Sequence, residues 1–448
     1  MSDAELSLSP ELTLLLMFPF NLGFGVEPLP VEERRPLLAA LATGLRTAYP
    51  GYAWSVIQFP ELPGTLLDKG SYVVGELAGP SASTPHIAAA FPAADSPAAL
   101  AGMVREQVVY FDHGIGSVNL SIPLRIASPQ ALPELPKLAL RIIDNLRTRA
   151  DGLGLRADWS RFRQAMREVL RGAGALFDMW GILARGGQGR NFVSCVSQNF
   201  ILHTAAADGG LPLDLAELPA LLSPMTGLGA QDNVNLLPGT SGVVFLGEGW
   251  DGQVAVLSEP GRLPWVQHFW QLATDYWAAL SDLDAFLYEQ TRALGCSRSN
   301  APAEAHRTMA AIRRIENSVA VLAHESVPEN IWDSTEQIRL HKGIYDSWET
   351  APLMQGVKDK LAYLGTHYQN LNQLLSSTVQ ERMDVTMMIF TFMTFAGVLA
   401  DCIASVDFQG AGLSTKLRLA VICLGTVCCV AFSAVMGLLV RGRAASRM

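Results

Sequence analysis

Through the last hundred residues of the chain, apolar positions first alternate with polar ones and then crowd them out. From Met354 they run Val357, Leu361, Leu364, Tyr368, Leu371 and Leu375, the three-and-four spacing of a helix that packs along one seam. Lys358, Asp359, Lys360, Gln369, Asn370, Asn372 and Gln373 fill the positions between. After Gln380-Glu381-Arg382 the polar flanks vanish, and Val385 to Val406 is almost wholly apolar. The pattern predicts one helix over 351–406, a soluble stalk that continues into a first membrane span. Its roughly 55 residues would reach about 80 Å, more than a compact domain needs. A second uncharged run, Leu419 to Val440, holds about 22 residues, enough for a hydrocarbon core of about 30 Å.

The outer loop between the two runs, 407–418, is short, so they read as an antiparallel transmembrane hairpin. Arg441, Arg443 and Arg447 make 441–448 a basic tail, which the positive-inside tendency places in the cytoplasm. Lys416 and Arg418 in the loop weigh the other way. Two spans return the chain to the side it left, so the large N-terminal region is expected in the cytoplasm as well, at a bacterial-type inner or plasma membrane. The N-terminus itself lacks the leading positive charge of a secretory signal: Asp3 and Glu5 stand there instead.

Residues 1–263 mix two periodicities. Strands are expected at Leu12–Phe18, Ala53–Phe59, Gln107–Phe111, Ser117–Ile122, Phe192–Cys195 and Phe200–His203. A hairpin is expected from Gly242–Leu246 and Gln253–Leu257, whose β-branched runs flank a Gly-rich turn. Helices are expected at Val31–Ala48, Leu135–Asp151 and Trp159–Arg171. Interleaved strands and helices give an α/β or α+β domain. Residues 264–350 turn helical: an apolar stripe from Trp265 through His268, Phe269, Leu272, Tyr276, Leu280 and Leu283 to Leu287, then helices opening near Pro302 and Pro328.

Composition adds limits. The chain has 448 residues and 49% hydrophobic content, with a mean hydropathy of +0.22, high for a purely soluble protein. Its net charge of −9 and its lack of a basic stripe argue against a nucleic-acid partner. Of six cysteines, Cys402, Cys423, Cys428 and Cys429 lie in the apolar C-terminal runs, as reduced, small hydrophobes do.

The first apolar run carries the candidate chemistry. Asp384, Met388, Thr391, Thr394, Val398, Asp401 and Ser405 fall three or four residues apart, on one helix face. Hydroxyls and carboxylates are costly in hydrocarbon unless they face protein or water. Several copies of the helix around an axis would turn this face into a pore lining. The plainer reading has Thr386, Thr391 and Thr394 bonding back to their own helix carbonyls and Asp401 sitting at the headgroups. Elsewhere the signals are weak. Arg185-Gly186-Gly187-Gln188-Gly189-Arg190 lacks the Lys-Ser/Thr ending of a P-loop. Asp112-His113, His203 and His324-Glu325 lack second ligands at helical spacing. Asp282, Asp284 and Glu289 suit a solvated helix face better than a cation site.

The order of elements resembles the CorA-type magnesium transporter family: a cytoplasmic α/β domain, connecting helices, one very long helix that becomes the first span, a short outer loop, a second span and a basic tail. The family's Gly-Met-Asn signature is absent. Ser405-Val406-Asp407-Phe408 stands at that place, with Asp407 where the family has Asn. The resemblance implies a homopentamer whose first span lines the pore, but without the signature magnesium specificity does not carry over. Asp401, from its place on the polar helix face, and Asp407, from its place at the family's Asn, are expected to form rings of carboxylates that hold a cation, magnesium or another divalent ion among the candidates. Two roles follow: a cation channel or transporter, or a membrane-anchored signalling or defence effector whose N-terminal domain senses a small-molecule ligand and gates or disrupts the bilayer. No residues suggest an enzyme or a covalent cofactor.

Overall fold

The computed structural model describes residues 6–26, 31–57, 72–91, 96–111, 114–149, 152–177, 196–204, 211–213, 218–222, 225, 243–246, 253–257, 263–294, most of 309–323, 327, 335–405, and most of 419–431. The chain divides into two compact units, residues 1–299 with 307–365, and residues 300–306 with 366–448.

The first unit is built on a mixed sheet of ten strands. Eight form a continuous path: β11 (Val243–Leu246), β12 (Gln253–Leu257), β9 (Ser197–Thr204), β1 (Leu6–Asn21), β7 (Ile115–Ile126), β6 (Arg105–Tyr110), β4 (Tyr72–Leu77) and β3 (Tyr52–Ile57). Two short strands, β5 (Ala98–Leu100) and β10 (Leu211–Leu213), pair with β7 and β1. Every pairing is antiparallel except that of β12 with β9. A separate two-stranded piece joins β2 (Gly25–Val26) to β8 (Leu176–Phe177).

β1 lies at the centre and is covered on both faces, which explains its unbroken apolar run. Leu8, Leu12, Leu14, Leu16, Phe18 and Phe20 enter the main core. There they meet α1 (Val31–Ala48), α3 (Leu135–Thr148) and α5 (Trp159–Gly172), whose buried faces carry Leu38 and Leu41, Ile142 and Leu146, and Phe162 and Met166. The intervening Leu15 and Met17 are also buried, but face α7 (Leu263–Leu294). Ala278 and Ala279 of α7 cluster with Ile115, small side chains that let helix and sheet approach closely. The shorter helices α2 (Thr84–Ala88), α4 (Gly154–Ala157) and α6 (Leu218–Leu222) complete this part.

Behind α7 stand α8 (Thr335–Ser347) and the start of α9 (Thr350–Ser405). Rings interlock there: Trp277 against Trp348 at 6.1 Å, Tyr276 against Tyr345 at 6.0 Å, and Phe269 stacked on His341 at 5.4 Å. The expected α9 seam is buried at Met354, Val357, Leu361 and Leu364. Asp284 of α7 pairs with Lys360 of α9.

The second unit holds the rest of α9, and here the expected architecture is corrected. Among the described residues no helix is long and apolar enough to cross a membrane, so the expected two-helix transmembrane hairpin of a CorA-like fold is not shown by them. The reason is visible in α9. Its uncharged stretch runs only over 385–400, between Asp384 and Asp401. At 1.5 Å per residue that is about 24 Å, short of a core of about 30 Å. Of the second apolar run, residues 419–420, 423–427 and 430–431 are described, and they are helical. The loop at 407–418 and the tail at 441–448 lie outside the described residues.

Candidate functional site

The sheet face that carries α7 holds a candidate site in the first unit. α7 crosses β1 and β7 and leaves the same face of β6, β4 and β3 open beside it. The result is a groove of about 860 Å³, within the range of small-molecule sites. Its floor comes from alternate strand positions, among them Leu15, Asn119, Gln107 and Glu76, and its wall from Gln267, His268 and Gln271 of α7. Gln107 Nε2 donates to Glu76 Oε1 at 2.8 Å. Arg105 lies at the groove and is exposed.

Beneath the wall runs a buried polar chain. Ser117 Oγ donates to Asn119 Oδ1 at 2.9 Å, and Asn119 Nδ2 donates to Gln271 Oε1. Gln271 Nε2 donates in turn to Ser117 Oγ and to Asp275 Oδ2, each at 2.6 Å. Further along α7, Asn21 Nδ2 donates to Asp282 Oδ2 at 2.9 Å. These bonds fix the seat of α7 on the sheet, because each buried polar group left without its partner would cost about 1–3 kcal/mol. Ligand atoms that bond to Asn119 or Gln271 at the groove would compete directly with this chain.

Three rings and one carboxyl give the site its electrostatics. His268 stacks on Tyr72 with centroids 5.5 Å apart and planes 11° apart. Burial, with the neighbouring His341 adding to it, holds the His268 imidazole well below its usual range. Burial also pushes the Tyr72 hydroxyl up, assisted by Asp275. Asp275 is 1% exposed, and burial raises its carboxyl well above the ordinary range, partly offset by the Gln271 hydrogen bond. Its Oδ1 has no hydrogen-bond partner among the described residues.

A carboxyl whose folded pKa is raised contributes stability at low pH, which is lost as pH rises through that folded value. Asp275→Asn keeps an acceptor for Gln271 and has no charge to bury. The variant is expected to be more stable than the parent by about 1 kcal/mol or more at alkaline pH, and to gain least in acid. Denaturant midpoints across pH check this; a gain that is the same at every pH would count against a raised Asp275.

The residues expected from sequence to line a pore are dispersed along α9. Asp384, Met388, Val398 and Asp401 are exposed. Thr391 Oγ1 donates to Met387 O and Thr394 Oγ1 to Phe390 O, each at 2.8 Å, and Thr386 does the same to Arg382 O. Ser405 ends the helix, and Asp407 lies outside the described residues. Asp384 and Asp401 stand about 26 Å apart along the axis. Among the described residues no three His, Cys, Asp or Glu side chains converge as metal ligands. The Gly-rich segment 185–190, Asp112-His113 and His324-Glu325 also lie outside the described residues. His203 is half-buried in β9, its imidazole lowered by burial. Asp282 and Asp284 act as fasteners of α7, to Asn21 and Lys360.

The groove and its polar chain went unread in the sequence, although a signal was there. His268, Gln271, Asp275 and Asp282 fall at spacings of three, four and seven within the apolar stripe of α7, and Ser117, Asn119 and Ser121 alternate along β7. Two polar rows on elements that are otherwise apolar mark a shared buried interface. No known protein family, curated protein or solved structure matches this chain. The CorA-type resemblance therefore rests only on the residues and element order described above.

Proposed function

We propose that this protein is a bilayer-associated, self-assembling effector of an inner or plasma membrane. In this reading the sheet unit responds to a small molecule in its groove, and the distal part of α9 acts on the lipid. The observation that supports it is the bare apolar surface of that helix. Met387, Phe390, Met393 and Phe395 are each more than 60% exposed, and at 3.6 residues per turn the exposed apolar side chains point to all sides. A helix apolar around its whole circumference belongs in an apolar surrounding. Lipid acyl chains and further copies of the helix supply one. Each such side chain contributes about 1.5–3 kcal/mol when removed from water.

Cation passage is the narrower form of this proposal. It requires copies of Asp401, and of Asp407 beyond it, to gather around a common axis, where acidic rings concentrate cations.

Flotation of the full chain with phospholipid vesicles tests the reading. The parent is expected to float. A variant with Met387, Phe390, Met393 and Phe395 all changed to Asn is expected to stay in the dense fraction with its sheet unit folded. Equal flotation of both proteins would refute bilayer association through α9. Dye and cation release from the same vesicles separates general disruption from selective passage.

A further inference from the structure

One polar row on the floor of the groove crosses three strands. Asn119 of β7 stands opposite Gln107 of β6, and Gln107 stands opposite Glu76 of β4. Two residues along β6, Arg105 stands opposite Ser121 of β7. Arg105 and Glu76 are therefore diagonal neighbours on one sheet face, where long side chains of opposite charge can reach each other. They do not pair. Glu76 Oε1 accepts from Gln107 Nε2 at 2.8 Å, and Arg105 has no ion-pair partner among the described residues. Both side chains are exposed at the groove, so its mouth offers a solute one guanidinium and one open carboxylate oxygen.

Away from the charges the lining changes character. Asn119 and Gln107 on the floor and Gln267 and Gln271 on α7 bring four carboxamides to one groove. Asn119 and Gln271 are buried and bonded to each other. Gln107 and Gln267 are only half-buried. A carboxamide has N–H donors and a C=O acceptor, and so complements a peptide group, which has one of each. The rim is apolar: Ile57 and Met103 both line the groove and are 38% and 67% exposed.

On the reading that the groove holds a small molecule, we infer that its ligand is a short apolar peptide with free termini. The peptide carboxylate takes the Arg105 fork, the pairing that a guanidinium makes best. The ammonium takes the open oxygen of Glu76, peptide groups bond to Gln107 and Gln267, and apolar side chains cover Ile57 and Met103. A zwitterion answers both charges of the lining, whereas an ion of either single sign would lie beside a like charge. The spacing agrees. Diagonal positions stand about 7–8 Å apart, and an extended dipeptide reaches about 7 Å. A volume of about 860 Å³ is high in the range of small-molecule sites, which suits two or three residues better than one free amino acid.

The test is calorimetric titration of the full chain with the dipeptide Leu-Leu in the absence of lipid. Saturable binding is expected, and about tenfold weaker binding for the C-terminal amide and for the N-acetyl form. Arg105→Gln should weaken Leu-Leu by the same factor while binding the amide as the parent does. Glu76→Gln should show the matching pattern with the N-acetyl form, as a coupled pair requires. Both side chains are exposed, so these variants are expected to fold as the parent does. Free leucine binding as tightly as Leu-Leu would overturn the peptide in favour of an amino acid. Equal binding of Leu-Leu and its doubly blocked form, abolished by Ser121→Trp in the floor, would keep a groove ligand and overturn the zwitterion. No binding of Leu-Leu, or binding that neither Arg105→Gln nor Glu76→Gln weakens, would overturn the peptide site. None of these outcomes involves lipid, so flotation decides bilayer association separately.

Discussion

His341→Phe is expected to spare the protein about 3 kcal/mol of acid destabilisation between about pH 6.5 and about pH 4. The imidazole of His341 is fully buried, and burial pushes its pKa down to about 3. In the unfolded chain it protonates near the usual 6.5. A group whose folded pKa is depressed contributes stability above the unfolded value, and that stability drains away as pH falls toward the folded one. His268 acts in the same direction. Asp275 acts in the opposite one, because its folded carboxyl keeps a proton that the unfolded chain releases. The net slope of the parent mixes all three, but the difference between parent and variant reports His341 together with the part of the His268 shift that His341 causes.

Phenylalanine is the suitable replacement because its ring can still stack on Phe269 and meet the edge of Tyr345, which His341 approaches at 5.4 and 4.5 Å. The measurement is denaturant unfolding at several pH values, followed by the fluorescence of Trp54, Trp270 and Trp348, all fully buried in this unit. The stability difference should grow by about 1.4 kcal/mol per pH unit in favour of the variant as acid is added. Parallel pH profiles would mean that His341 is not buried as a neutral ring.

The second large effect is expected at Gly116. In β7 this residue pairs with Phe20 of β1 on one side and Tyr110 of β6 on the other. A Cβ there would stand 2.2 Å from Val109 O and 2.6 Å from Phe20 Cζ. The ring can shift, at the expense of its edge contacts with Trp159 and Phe162. The carbonyl belongs to the neighbouring strand and cannot move without opening the ladder. Gly116→Ala is therefore expected to cost about 3 kcal/mol or more. Gly51, where a Cβ would meet nothing within 4 Å, gives the control: Gly51→Ala should stay within about 0.5 kcal/mol. A Gly116→Ala protein that melts with the parent would show that the β6–β7 register differs from the one described.

Periodicity made much of the first unit legible. Val31–Ala48, Leu135–Thr148 and Trp159–Gly172 are helices where the 3.6-residue pattern put them, and the hairpin of Val243–Leu246 with Gln253–Leu257 pairs as its turn predicted. β4 was hidden because Gly75 interrupts its pattern. That glycine is needed where the Trp54 ring lies against the backbone, with a Cβ position 2.8 Å from the ring. The groove was hidden for another reason: its floor and wall come from β1, β4, β6, β7 and α7, and no local spacing relates Asn119 to Gln271. The long helix was legible in extent, 350–405 against the expected 351–406, but hydropathy alone promised a spanning hairpin that the described helices do not supply. Apolar character records what a segment avoids; it does not record which apolar surrounding the segment finds.

The place of β1 in the sheet also sets an order of events. Leu14 pairs with Ile122 on one edge and Phe200 on the other, so this strand completes neither ladder until residues far downstream have been made. During synthesis at the ribosome it waits, with the apolar run Leu14–Phe20 and two open edges. Pairings so distant in sequence form slowly, and exposed strands of this kind are where nascent chains aggregate. Production of the protein should therefore depend on chaperone supply and on translation speed more than its folded stability would suggest.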